Sequence, residues 1–170
     1  MDEARFGQQG TMTRIWAPTG SHPTAVKQMR YEWLYLFAAV EAATGASVAL
    51  QAPYANTETM NVFLEMLSVE LASKEHAVLI MDGAGWHKAK KLVVPQNITI
   101  LHLPPYSPEL NPLERLWAYL RSHYLSNRAC TDDEHRLDAE AQAWPHLTPE
   151  LHRTICACPS LLHEIQAWSV

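Results

Sequence analysis

Leu103-Pro-Pro-Tyr-Ser-Pro-Glu-Leu-Asn-Pro-Leu-Glu-Arg-Leu-Trp117 is a proline-rich loop that runs directly into a helix, and the rest of the chain is read outward from it. Pro104, Pro105 and Pro108 fix their own φ and push the residues before them into extended conformations, so no helix begins before Asn111. Asn111 reads as the N-cap, with Pro112 at the first helical position. Beyond it Leu113, Leu116, Trp117, Leu120 and Tyr124 recur at helical spacing and form an apolar face. Glu114 therefore sits on the first turn. Its carboxylate has two readings: the acid of a capping box that complements the helix dipole, or an acid held there for chemistry.

A second carboxylate favours chemistry. Ala77-Val-Leu-Ile-Met81 is a continuous apolar run with the length of a buried strand, and it ends in Asp82-Gly83-Ala84-Gly85. An acid at the carboxyl end of such a strand lies where open α/β sheets place ligands. A plain Asp-Gly turn is the other reading.

These residues resemble a family. Asp82-Gly-Ala-Gly-Trp-His87 and the proline-rich string ending in Trp117 look like the second and third acidic motifs of DDE transposases of the mariner-like bacterial insertion-sequence group. Asp2-Glu-Ala-Arg-Phe-Gly7 is similar to the first. The resemblance runs from Asp2 to about Tyr124 and implies an α/β fold, a ribonuclease-H-like mixed sheet flanked by helices. It also implies metal-dependent cleavage of phosphodiesters and strand transfer at transposon ends. Asp2, Asp82 and Glu114 would be the catalytic and metal-holding residues, carrying two Mg²⁺ ions, with Mn²⁺ as an alternative. DNA is the implied partner, together with a second copy or a full-length transposase. Family members carry a helix-turn-helix region ahead of the first acid, whereas Met1 directly precedes Asp2. The expectation is a catalytic domain without that region and with a shortened first strand, leaving Asp2 at a mobile terminus. A non-catalytic relic acting only through protein association is the alternative.

The chemistry explains the residue types. Phosphoryl transfer builds charge on the non-bridging and leaving oxygens, while water and sugar hydroxyls are weak nucleophiles; paired hard cations address both problems. Mg²⁺ prefers oxygen ligands and keeps several waters, so carboxylates from separate elements suffice. Close together and without metal, those acids repel and their pKa values rise. His87, Lys88, Lys90, Lys91, Arg115 and Arg121 are candidate DNA contacts, with a local hydrogen bond as the plainer role for His87. Glu3 points to the opposite face from Asp2 in a regular strand and is left out, as is Glu109, which precedes the cap. Trp117 reads as core.

Composition agrees with one soluble domain: 170 residues, 48% of them hydrophobic, without a membrane-length apolar run or a signal-peptide pattern. A cytoplasmic, nucleoid-associated location follows from the resemblance. Cys130, Cys156 and Cys158 do not form paired metal spacing. The net charge of −5 is unusual for a DNA-binding chain, but it is unevenly placed. Up to Cys130 there are 11 basic and 11 acidic residues, and from Thr131 onward 2 and 7. Between Gly83 and Arg128 there are 6 basic residues against 2 acidic.

Further elements follow in order. Asp2 to Phe6 is a first strand, and Thr13 to Ala17 a short extended piece. Trp33 to Val40 and Ala46 to Leu50 form a hairpin through Thr44-Gly45. Asn56 caps a helix with Met60, Phe63, Leu64, Leu67 and Leu71 on one face. A short helix is expected from His87 to Val93, and a strand from Asn97 to Leu101. Residues 1 to 128 would form the catalytic domain and 129 to 170 a helical appendage, with helices from Thr131 to about Trp144 and from Thr148-Pro149 to near Pro159.

Overall fold

The computed structural model describes residues 1–7, 16–21, 24, 33–126 and 142–157. Strand β1 (Asp2–Gly7) lies antiparallel to β2 (Trp33–Val40), with Asp2 opposite Ala38. β2 in turn lies antiparallel to β3 (Ser47–Ala52). β4 (Ala77–Met81) and β5 (Ile98–His102) form a parallel pair in which Ala77 faces Ile98. The two sheets meet where the Met1 amino group donates to the Ile80 carbonyl oxygen at 2.7 Å. Met1 and Asp2 are buried, so the expectation of a mobile terminus is corrected: a backbone contact to β4 and apolar packing hold it in place.

Strand alternation determines the layers. Phe37 and Ala39 face helix α1 (Thr57–Glu70), whose Met60, Phe63, Leu64 and Leu67 pack with Leu79, Met81 and Ile98 of the parallel pair. Leu36, Ala38, Ala4 and Phe6 face the other way, against Leu113, Leu116, Trp117 and Leu120 of helix α2 (Leu113–Leu120). Each large side chain buried here contributes about 1.5–3 kcal/mol. Ala143, Leu147 and Cys156 join this second core, the last from helix α3 (Pro149–Cys156). A mixed α/β sandwich with helices on both faces results.

The caps at Asn56 and Thr148 operate as read, whereas helix α2 starts one residue later than read, with Pro112 in the cap position. Asn56 Oδ1 accepts from the Thr59 N–H at 2.9 Å, and Thr148 accepts from Leu151 with Pro149 in the first turn. Asn111 Oδ1 accepts from the Leu113 N–H at 3.2 Å, with Pro112 flanking the helix in helical dihedrals. The helix expected from His87 to Val93 is not formed. Only a three-residue 3-10 turn, Gly85–His87, is present. Seven residues barely repay helix nucleation. Asn61 of α1 instead pins this loop, donating to the Lys91 carbonyl and accepting from the Val93 N–H. After α2 the chain continues as a π-helical turn, Arg121–Leu125. Thr13 to Ile15, and the Thr131 helix up to residue 141, lie outside the described residues.

α3 docks onto the β2–β3 turn. Gly45 has φ +80 there, and a Cβ on it would run into the Pro149 carbonyl, so only glycine suits both the conformation and the contact. Arg153 donates to the Thr44 carbonyl at 2.9 Å, and the buried His152 ring lies 3.1 Å from the Gly45 carbonyl oxygen through Nδ1. Burial lowers the His152 pKa below its ordinary 6.5, against the opposing pull of that carbonyl. Below pH 6.5 the unfolded chain therefore binds a proton that the native state resists. Stability from this group is present above 6.5 and is lost as pH falls through the native value. Urea unfolding of wild type and His152→Gln between about pH 8 and 5 should show a steeper acid-side loss in wild type; parallel curves would contradict it.

Candidate active site

Three carboxylates reach one cleft of about 370 Å³ from three different elements: Asp2 from β1, Asp82 from just past β4, and Glu114 from the first turn of α2. Leu103 to Pro108 form one wall, and Gly83, Ala84 and Lys88 line it as well. Glu109 is not among the lining residues. Asp2 and Asp82 come from neighbouring strands joined through Met1 and Ile80, and Asp82 stands at the carboxyl end of its strand.

Each acid has a distinct environment. Asp2 is buried, and Trp117 Nε1 donates to its Oδ2 at 2.8 Å across 115 positions of sequence. Burial pushes its carboxyl from 3.8 up to about 7; the charges of Glu3 and Glu114 push the same way, opposed by the Trp117 hydrogen bond and the amino terminus. Asp82 is half exposed; its Oδ1 accepts from the Ala84 N–H at 3.0 Å and lies 2.8 Å from His87 Nδ1. His102 Nδ1 donates to the Asp82 backbone carbonyl at 2.9 Å, steadying the strand end. Glu114 is exposed. The capping box does not form: the Asn111 N–H goes to the Pro108 carbonyl oxygen at 2.9 Å, leaving the Glu114 carboxylate without a hydrogen bond among the described residues.

The family pattern of the DDE superfamily endonucleases matches residues 1–137. The chain belongs to that family. A Sinorhizobium fredii (strain NBRC 101917 / NGR234) protein, the uncharacterized y4pE/y4sA, is 42% identical over 118 residues, covering 69% of this chain and 87% of that one. Solved structures of Mos1 show the same fold. The paired-end complex with Mn matches at a TM-score of 0.67 and 16% identity, that with the left transposon end at 0.65 and 18%, and the strand transfer complex at 0.62 and 15%. Each match covers 91% of this chain, which spans 48% to 50% of those chains. The fold is ribonuclease-H-like, as the motifs implied.

The basic candidates separate. Lys88 lines the cleft, folded against Gly83. Lys90 and Lys91 are exposed beyond it. Arg115 donates to the Ala157 carbonyl at 3.1 Å, and the Arg121 guanidinium lies over the Phe6 ring at 5.4 Å. Both arginines are engaged by the protein. His87 is corrected as a DNA contact: its ring is 1% exposed and faces protein on both sides. Two residues were missed. Glu3, set aside for pointing away from Asp2, does point away, and there it meets His87 and Trp86. Tyr106 is fully exposed on the cleft rim with φ +59, a conformation that sequence does not announce in a non-glycine residue.

The donor set is hard oxygen, suited to a divalent cation, and one Asp2 oxygen is free of hydrogen bonds among the described residues. The acids share the cleft, yet among the described residues no three His, Cys, Asp or Glu side chains stand close enough to hold one ion. Without metal, native Asp2 retains a proton that the unfolded chain releases above pH 3.8, so its stabilising contribution is present below 3.8 and lost as pH rises through about 7. Asp2→Asn should therefore be the more stable chain in chelator near pH 8, by up to about 4 kcal/mol. The gap should close towards about pH 4; denaturant curves that stay parallel would refute it.

Proposed function

We propose that this chain is the catalytic domain of a DNA transposase that cleaves phosphodiesters and transfers strands at transposon ends with divalent metal. The observation that carries the reading is the shared cleft of Asp2, Asp82 and Glu114, walled by the proline-rich loop. Asp2, Asp82 and Glu114 would together hold the divalent cations, Mg²⁺ or Mn²⁺. Such ions, when bound, activate the attacking hydroxyl and stabilise the leaving oxygen. Asp2 would supply its charge there only after losing the proton that burial favours, which couples cation capture to deprotonation. Lys88 would meet a non-bridging phosphate oxygen in the same cleft. The open face of Tyr106 on the rim suits an unpaired base. The similar Mos1 structures are a strand transfer complex and a paired-end complex with the left transposon end, which supports DNA as the partner. Association with a second copy or a longer transposase belongs to the same proposal, as does a nucleoid-associated location.

The incomplete gathering of the acids favours a second reading, a relic that retains the fold and acts only by protein association. Nicking of supercoiled plasmid with Mg²⁺ or Mn²⁺ separates the two. Wild type should nick, and Asp82→Asn and Glu114→Gln should each lose at least about 100-fold, the upper end of what losing a mere supporting residue costs at a metal site. A folded chain that never nicks would establish the relic.

A further inference from the structure

The turn that follows Asp82 is bound to the back of β1. Because β1 alternates, Glu3 projects to the face opposite Asp2, and its carboxylate is only 9% exposed. Trp86 Nε1 donates to Glu3 Oε1 at 3.0 Å, while Glu3 Oε2 lies 3.2 Å from His87 Nε2 as an ion-pair contact without hydrogen-bond alignment. The other ring nitrogen, Nδ1, is 2.8 Å from Asp82 Oδ1 and 3.2 Å from the Asp82 carbonyl oxygen. A buried imidazole thus spans two carboxylates. Nδ1, facing two Asp82 oxygens, carries a proton, and the Glu3 carboxylate lies beside Nε2 without a hydrogen bond to it. The Ala84 N–H also donates to Asp82 Oδ1, so this oxygen is doubly occupied and Oδ2 remains for a ligand.

We propose that Glu3 is a positioning residue that acts through His87 to turn Asp82 so that its Oδ2 is presented to a divalent cation. This rests on the metal-binding reading above. Partners of this kind, one step behind a ligand, fix its orientation, and their loss typically weakens metal affinity about 10–100-fold. A purely structural role, Glu3 anchoring the 3-10 turn to the sheet, would affect stability and leave intrinsic metal affinity unchanged.

The test uses Mn²⁺ alone as probe, titrated into the full chain and followed by the electron paramagnetic resonance of free ion, with thermal unfolding in chelator measured alongside. Glu3→Gln keeps an acceptor for Trp86 but loses the charge. His87→Gln occupies the Nε2 side of the ring and loses Nδ1. Each should weaken Mn²⁺ binding about 10-fold while melting in chelator stays near wild type. Because the pair acts as a unit, the double variant should bind no worse than either single one. Wild-type affinity in Glu3→Gln, or a double variant showing the product of both losses, overturns the inference. Should Glu3→Gln fail to fold, wild-type affinity in His87→Gln does the same. Asp82→Asn distinguishes the two levels: unchanged affinity there removes Asp82 as a ligand and overturns the metal-binding reading itself. Lost affinity there with wild-type affinity in Glu3→Gln removes only the role of Glu3.

Discussion

The alternation of β1 is the constraint from which the site follows. A strand sends adjacent side chains to opposite faces, so Asp2 and Glu3 cannot serve the same neighbour. Asp2 turns towards α2, where the Trp117 indole meets it, and Glu3 turns towards the loop after β4, where Trp86 and His87 meet it. One dipeptide thereby fixes the position of both other acid-bearing elements. Glu114 is carried by the helix that holds Trp117, and Asp82 adjoins the turn that holds His87.

Both docking contacts use indole N–H groups, and the economy is physical. An indole buries a large apolar surface while offering a single donor, so it can fill a core and orient a carboxylate at once. Trp117 does both, packing edge-on to Phe6 at 6.1 Å while donating to Asp2. The consequence is electrostatic: a carboxylate held in a packed interior prefers to keep its proton, and opposing charge is what would release it. Three acids share one cleft, with Lys88 on its wall, without closing into a three-ligand set among the described residues.

Much was legible in the letters. Caps at Asn56 and Thr148, the buried strand ending at Asp82, and the helix beginning after Asn111 follow from local rules that depend on few neighbours. The segment from Lys88 to Val93 was not legible, because a side chain 30 positions away, Asn61, decides its backbone. The local hydrogen bond read for His87 is present, to Asp82, but nothing within its own turn reveals that β1 lies behind it and closes it off as a DNA contact.

The sequence by itself determined the family, the α/β class and the elements that carry Asp2, Asp82 and Glu114, since motif spacing, proline stereochemistry and periodicity are properties of the chain. Only the tertiary structure decided what each acid faces. It buried Asp2 under Trp117, freed Glu114 from its cap, set Glu3 behind His87, and engaged Arg115 and Arg121 within the protein. These are contacts between residues remote along the chain, and burial and pairing of that kind exist only once the layers have packed.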